Sequence, residues 1–308
     1  MRFIFKTDYD QDIRLAKHGG HVFWYGLLAV FLLAAPWWLD EYWLAQLTFV
    51  LIYSVVGLGL MLLAGFTGLF SIGHAAFLGV GAYTEAVLSG LGWPLPLSLA
   101  AAAGLSAAVG AVVGLPALRV KGIYLGIATL AFGFIVEEGL ARWESVTGGN
   151  AGKHVGPMDL GGLVIDSEGG FYAVCLAVTV LCTLGVLNLL RSPTGRAFVA
   201  IRDSEISAQS MGIHLAYYKT LSFMISAALA GLGGALYAHK LQFISPDQFN
   251  VLQSIDLLLM VVIGGLGSLR GAILGALLIG LLPTLISRIK PLLPEHLARQ
   301  MGLEIFMF

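Results

Sequence analysis

Long runs of apolar residues, separated by short polar breaks, constrain this chain more than any other feature. A hydrocarbon core about 30 Å thick requires about 20 consecutive apolar residues per helix. The run from Val174 to Leu190 is continuous rather than alternating in polarity, which favours helices and excludes a transmembrane β-barrel. Because only 11% of the residues are charged, against about 25% in soluble domains, the sequence predicts an all-α polytopic membrane protein.

The apolar runs predict about nine to ten transmembrane helices. The predicted spans are Phe23–Leu39, Tyr42–Leu63, Leu69–Leu91, Leu95–Leu115, Gly122–Leu140, Phe171–Leu190, Tyr217–His239, Leu252–Gly264 and Gly271–Ile286. A further run begins at Leu303 and reaches only Phe308, which is too short to cross a bilayer. Residues 22–308 are therefore expected to form one transmembrane domain, preceded by a polar segment, residues 1–21.

Lysine and arginine residues gather on one predicted side of the membrane. They lie before the first span, after the fourth span and around the polar stretch 191–216: Arg2, Lys6, Arg14, Lys17, Arg119, Lys121, Arg191, Arg196, Arg202 and Lys219. Because positively charged loops stay in the cytosol, the N-terminus is predicted to be cytosolic and the stretch 141–170 to be an external loop. Arg288 and Lys290 follow the ninth predicted span and break this rule.

Residues 191–216 lie between two predicted spans and carry the pattern of two short helices. Pro193 favours a first helix start, Asp203 or Ser204 can cap a second start, and Gly212 favours a stop. Three apolar residues share one face of the first helix: Ala197, Phe198 and Ile201. An organised cytosolic element of this kind indicates a surface that contacts a partner.

Glycines interrupt two apolar stretches in opposite halves of the chain, residues 65–81 and 264–280. An inverted-repeat transporter fold predicts such paired breaks, where unwound backbone lines a pathway. Ordinary packing of small residues in a crowded bundle predicts the same pattern, and both interpretations stay open. The candidate positions in broken helices or along a pathway are Gly68, Ser71, Gly73, His74, Gly264, Gly265, Gly267 and Ser268.

Few ionisable residues are expected at membrane depth. They are His74, Glu85 and Asp256, with Glu137 and Glu138 near the outer end of the fifth span. A proton- or sodium-driven carrier is expected to place carboxylates near the midplane of the membrane, so their scarcity disfavours ion coupling. We interpret His74 as a structural hydrogen-bonding residue, and Glu85 and Asp256 as residues near the wet ends of spans or at a subunit seam.

No catalytic, nucleotide or metal site is predicted. The stretch 147–154 lacks the phosphate-loop pattern, because His154 follows Lys153 where serine or threonine is required. There is no nucleophile elbow and no metal-ligand spacing, and a net charge of −1 does not favour nucleic acid. The chain is therefore expected not to be an enzyme, and ATP, if it drives the protein, must bind another polypeptide.

Several ordered motifs extend along nearly the whole chain. They are Gly65–Gly68, Ser71–Phe77, Gly79–Tyr83, Leu118–Phe132, Thr147–Gly149, Ser192–Ala197, Ala200–Arg202, Met211–Ile213 and Met260–Ser268. Together they resemble the LivM-type permeases of branched-chain amino-acid ABC transporters. Ala208 and Gly212 also resemble the Glu-Ala-Ala-x-x-x-Gly loop of ABC permeases, although Ile206 and Ser207 stand where the first two residues of that loop would be.

The resemblance implies a multi-pass permease subunit in a bacterial cytoplasmic (inner) membrane that imports amino acids, in the first place branched-chain ones. Its implied partners are a second, homologous but non-identical permease, two ABC ATPase subunits that bind ATP and Mg, an extracytoplasmic solute-binding protein and the lipid bilayer. The chain itself would bind no cofactor and no metal. The alternatives are a secondary carrier or facilitator for a small polar solute, and an importer of urea or short amides from the same family.

The resemblance also makes residues 191–216 the coupling segment, which would sit in a groove of the ATPase. Its candidate residues are Gly195, Arg196, Ala200, Ile201, Arg202, Asp203, Glu205, Ala208, Met211 and Gly212. Closure of the ATPases would move this segment as a rigid body and rock the helix bundle. The alternative for Arg202 is a positive-inside anchor. The family normally completes a final span, so the C-terminus is expected to depart from its pattern.

Overall fold

The computed structural model describes residues 19–116, 120, 122–162, 164–165 and 167–289. The polar segment up to residue 18, the basic pair Arg119 and Lys121, Lys290 and the run from Leu303 lie outside the described residues. The helices are α1 Gly19–Trp38, α2 Glu41–Leu60, α3 His74–Gly90, α4 Leu95–Gly114, α5 Ile123–Arg142, α6 Glu144–Thr147, α7 Glu168–Arg191, α8 Pro193–Asp203, α9 Glu205–Ser210, α10 Leu215–Leu241, α11 Val251–Gly264 and α12 Leu269–Ile289. The short strands are β1 Lys153–His154, β2 Met158–Asp159, β3 Val164–Ile165 and β4 Phe243–Ile244.

Within the described residues, 7 helices are long and apolar enough to cross a membrane. They are Glu41–Phe66, Leu95–Gly114, Ile123–Arg142, Glu168–Arg191, Leu215–Leu241, Pro246–Gly264 and Leu269–Ile286. The first and third predicted spans are also helical, but the apolar part of α1 and the whole of α3 are shorter. The helical, polytopic architecture is confirmed, whereas the count of nine to ten spans and the cytosolic N-terminus stay predictions.

The helix α10 lies at the centre of the bundle, where it packs along α2, α3 and α4. Glycines set the spacing of these helices. A Cβ atom on Gly234 would lie 2.0 Å from the carbonyl oxygen of Leu78, and one on Gly81 would lie 2.2 Å from the carbonyl oxygen of Gly231. Because backbone meets backbone at these points, part of the glycine content serves close helix packing.

Short strands and turns cover the end of the bundle opposite the coupling segment. We call the described residues of 143–167, together with 242–250, the loop layer. The strand β1 pairs antiparallel with β4, and β2 pairs with β3. The backbone N–H of Gly156 donates to Ser89 Oγ at 3.3 Å, which ties the layer to α3. The sequence predicts this region only as a loop, because two-residue strands carry no readable periodicity.

Candidate functional site

Two breaks in helical structure lie at the glycine-rich stretches predicted from the sequence. The helix α2 continues as a π-helix, Met61–Phe66, and the chain is then non-helical up to Gly73. We call residues 67–73 the first break; it contains Gly68, with a φ of +73°, and also Ser71. His74 begins α3, so the third predicted span starts later than expected because unwound backbone occupies its first residues.

The second break is the turn between α11 and α12, residues 265–268. Gly264 is the last residue of α11, and Ser268 precedes α12. Gly265 and Gly267 have φ angles of +101° and +84°, which L side chains rarely adopt. The candidate positions named from the sequence therefore lie in or beside the two breaks, whereas their role along a pathway stays a prediction.

The second break lies against the π-helix that leads into the first break. A Cβ atom on Gly65 would lie 2.6 Å from the backbone nitrogen of Gly267. The backbone N–H of Gly267 donates to Met61 Sδ at 3.2 Å. Only glycines allow the two segments to approach this closely. Segments from opposite halves of the chain thus form one junction.

The coupling segment folds as the two short helices α8 and α9. Ser204 caps α9, because its Oγ accepts a hydrogen bond from the Ser207 N–H at 3.3 Å. The chain turns at Gly212, whose φ is +83°, and Ile213 N–H donates to the Ala208 carbonyl oxygen at 3.0 Å. Of the two predicted caps, Asp203 and Ser204, it is Ser204 that caps the start of the second helix, and the predicted stop at Gly212 is confirmed.

One face of α8 is buried against the helix bundle. Phe198 is fully buried, and its ring meets that of Tyr218 edge to face with the centroids 6.3 Å apart. A Cβ atom on Gly195 would lie 2.4 Å from the carbonyl oxygen of Leu190, the penultimate residue of α7. Phe198 joins a buried cluster with Val55, Leu62, Val186 and Leu229. The coupling segment is therefore held firmly on α2, α7 and α10.

A buried ion pair fixes α9 to the start of α10. Lys219 Nζ donates to Glu205 Oε1 at 2.6 Å, and the two side chains are 2% and 21% exposed. The pair joins the coupling segment to the central helix of the bundle. A displacement of α9 would therefore be transmitted to α10.

We expect Glu205→Gln to destabilise the protein more than Lys219→Met. Loss of the carboxylate charge leaves the ammonium of Lys219 buried without its counter-charge, at a cost of about 2 kcal/mol. This is less than for a fully buried pair, because Glu205 is 21% exposed. Loss of the lysine leaves Glu205, which is partly exposed and can be hydrated, so the cost is smaller. Thermal unfolding of both variants in detergent measures the order, and a larger effect of Lys219→Met would contradict this account.

Arg202 connects the coupling segment to both breaks. Its Nη1 donates to the carbonyl oxygen of Gly65 at 3.1 Å, and its Nε and Nη2 donate to Asp203 Oδ1 at 3.1 and 3.0 Å. A Cβ atom on Gly68 would lie 3.1 Å from Arg202 Cγ, and one on Gly267 would lie 3.5 Å from Arg202 Nη1. One side chain of the coupling segment thus contacts the π-helix, the first break and the second break.

The two short helices of the coupling segment line an open groove of 870 Å³. Its lining includes five candidate residues: Arg196, Ala200, Asp203, Ala208 and Met211. Met211 is 85% exposed and Ile206, nearby on α9, is 78% exposed. Exposed large apolar side chains beside polar ones are typical of a surface that binds another protein. The remaining candidates face the bundle or connect to it, as Gly195, Ile201, Arg202 and Glu205 do, or end α9, as Gly212 does.

Two ionisable residues within the spans differ from the sequence interpretation. Glu85 is fully buried rather than near water, because α4 and α10 pack over it; its Oε1 accepts from Ser98 Oγ at 2.7 Å and lies 2.8 Å from His239 Nε2. His74 is also fully buried, and neither ring nitrogen has a hydrogen-bond partner among the described residues. The expected structural hydrogen bond of His74 is therefore wrong. Asp256 lies exposed on α11.

Three residues that make these contacts are not among the predicted site residues: Met61 and Gly65 at the junction, and Lys219 on α10. Gly65 begins a glycine-broken stretch, and Lys219 belongs to the basic group around the polar stretch 191–216, so the sequence carries a signal for both. Met61 carried none, because its contact with Gly267 joins residues 206 positions apart in the sequence.

Comparison with known proteins identifies relatives over most of the chain. The model of a family described as "Branched-chain amino acid transport system / permease component" matches residues 42–301. The high-affinity branched-chain amino acid transport system permease protein LivM of Salmonella typhimurium is 38% identical over 259 residues, which are 75% of this chain and 60% of that protein. LivM of Escherichia coli is 37% identical over 259 residues, with the same coverage of 75% and 60%.

A more distant relative has a different named solute. The autoinducer 2 import system permease protein LsrC of an Enterobacter species is 28% identical over 235 residues, which are 74% of this chain and 65% of that protein. No solved structure gives a significant match. The chain spans 60% of the length of the LivM proteins that it matches. Because the family model covers residues 42–301, this chain belongs to the permease family of the branched-chain amino acid transport systems.

Proposed function

We propose that this chain is a transmembrane permease subunit of an ATP-driven importer in a bacterial inner membrane, and that its solutes are amino acids, in the first place branched-chain ones. It pairs with a second, homologous permease and with two ABC ATPases, which bind ATP and Mg. An extracytoplasmic binding protein delivers the solute. The names of the LivM relatives support the solute class, whereas LsrC indicates that related permeases serve other solutes.

The observation that carries this proposal is the contact of Arg202 with the Gly65 carbonyl oxygen at 3.1 Å. It connects a partner-facing segment to the point where helices from both halves of the chain are broken. Phe198 and the Lys219–Glu205 pair hold the same segment on the bundle. A movement of α8 and α9 imposed from outside therefore reaches the breaks through defined contacts, as alternating access requires.

Co-purification with an ABC ATPase tests the docking surface. We expect the tagged chain to bring down an ABC ATPase, and the double variant Ile206→Asp, Met211→Asp to lose about tenfold or more of this association, because charges in a dry apolar contact are costly. The matched control is Val164→Asp, which replaces an exposed apolar residue of the loop layer. Equal recovery of the ATPase with the double variant and the wild type would contradict the proposed docking surface.

A further inference from the structure

A cavity of 420 Å³ lies under the loop layer, at the end of the bundle opposite the coupling segment. Its walls are the turn after β1, the strands β2 and β3, the start of α7 and the end of α10. Cavities of about 300–1,000 Å³ are typical of small-molecule sites. The coupling mechanism described above does not use this cavity.

One wall of the cavity carries a cation and an anion side by side. Lys240 Nζ lies 2.6 Å from Glu168 Oε2, with the two side chains 7% and 44% exposed. The ammonium also lies 5.9 Å from the ring centroid of Phe49 and 5.8 Å from that of Phe171. Because Lys240 is nearly dry, its charge interacts more strongly with a ligand than a solvated lysine would. The lysine keeps further N–H donors and the glutamate keeps its second oxygen for a ligand.

Three apolar side chains line the cavity beside this charge pair. Met158 and Ile165 face each other across the β2–β3 pair, and Phe171 lies one turn into α7. The side chains of Met158 and Phe171 are buried. His239 also lines the cavity, and its Nε2 lies 2.8 Å from Glu85 Oε1. An apolar wall beside a charge pair is the arrangement that a small amphipathic molecule requires.

We propose that this cavity binds a zwitterionic amino acid with a branched aliphatic side chain. The α-carboxylate lies on Lys240, the α-ammonium lies on Glu168, and the side chain contacts Met158, Ile165 and Phe171. Lys240 and Glu168 pair with each other, so a simple anion or cation would add a contact to one charge only, whereas a ligand that carries both charges adds a contact to each. This inference rests on the proposed function, since it gives the permease its own receiving site for the solute.

Equilibrium binding to the purified full-length chain in lipid nanodiscs tests the site. The ligands are L-leucine, 4-methylpentanoate, which lacks the ammonium, and 3-methylbutylamine, which lacks the carboxylate. We expect leucine to bind about tenfold or more tighter than either analogue, because only leucine gains a charged contact with both Lys240 and Glu168. Lys240→Met should abolish the preference for leucine over 3-methylbutylamine and keep the preference for leucine over 4-methylpentanoate. Glu168→Gln should abolish the preference over 4-methylpentanoate and keep that over 3-methylbutylamine.

Each variant should keep one of the two preferences for leucine, and this retained preference shows that the variant is folded. Arg142→Met, which removes a charge paired with Glu138 at the end of α5 and outside the cavity, should keep both preferences. The inference is overturned if leucine fails to bind, if it binds no tighter than the analogues, or if the Lys240 and Glu168 variants keep wild-type selectivity. Co-purification of an ABC ATPase with the same wild-type chain separates the two proposals. If no ATPase co-purifies, the proposed function is overturned, whereas the proposed binding site is judged by the binding measurements alone.

Discussion

Replacement of Arg202 by alanine should reduce ATP-driven leucine uptake by about tenfold or more, while the transporter stays assembled and continues to hydrolyse ATP. A hydrogen bond to a charged group contributes about 1.5–3 kcal/mol, and each 1.4 kcal/mol corresponds to a factor of about ten. The substitution removes the hydrogen bond that Arg202 Nη1 donates to the Gly65 carbonyl oxygen at 3.1 Å. Uptake and ATP hydrolysis, measured on the same proteoliposomes, give the coupling ratio directly.

Arg202→Lys separates the coupling role from that of a positive-inside anchor. Lysine keeps the charge, which is all that an anchor needs, but it lacks the planar fork that binds Asp203 and Gly65 at the same time. We therefore expect uptake close to that of the alanine variant. Full uptake with lysine would make Arg202 an anchor only. Arg142→Ala is the matched control, because this exposed arginine lies at the opposite end of the bundle and pairs with Glu138.

Replacement of Gly234 by alanine should produce the largest loss of stability among the single substitutions considered. The new Cβ atom would lie 2.0 Å from the Leu78 carbonyl oxygen and 3.0 Å from the Ala82 nitrogen. These are backbone atoms of α3, so relief requires a shift of a whole helix rather than of one side chain. Overpacking of a core costs about 1–3 kcal/mol, and we expect the upper end. Thermal unfolding in detergent should show a clearly lower midpoint.

Gly104→Ala is the matched control for this substitution. Gly104 also lies within a helix, α4, but no atom lies within 4 Å of its Cβ position. Alanine is favoured over glycine in a helix by about 1 kcal/mol, so the variant should be neutral or slightly more stable. If both variants unfold at the same temperature, contact between the backbones of α3 and α10 does not determine the helix spacing.

The transmembrane helices were the most predictable part of the fold. Continuous apolar runs predict α4, α5, α7, α10 and α12 close to their observed bounds, because a span of sufficient length is a local property of the sequence. The third span was misplaced. Its first residues are apolar but unwound, with Gly68 at positive φ, and hydropathy does not distinguish helix from unwound apolar backbone.

The sequence predicts which segments form the site, but it does not predict the contacts between them. The capping residue Ser204 and the stop at Gly212 act on their own neighbours, so the sequence predicts them. Arg202 and Gly65 are 137 positions apart, and Glu85 and His239 are 154 apart. Pairs at such distances depend on how the helices pack. For this reason the sequence predicts Glu85 near the wet end of a span or at a subunit seam although it is enclosed, and it does not predict the Lys240–Glu168 pair.

We propose that a separate ATPase drives this permease through the coupling segment. The most direct measurement compares radiolabelled leucine uptake by proteoliposomes that contain this chain alone with uptake by those that also contain the second permease, the ABC ATPases and the binding protein. We predict accumulation only in the complete assembly and only with ATP. Accumulation of leucine by this chain alone, with no ATPase present, would contradict the claim.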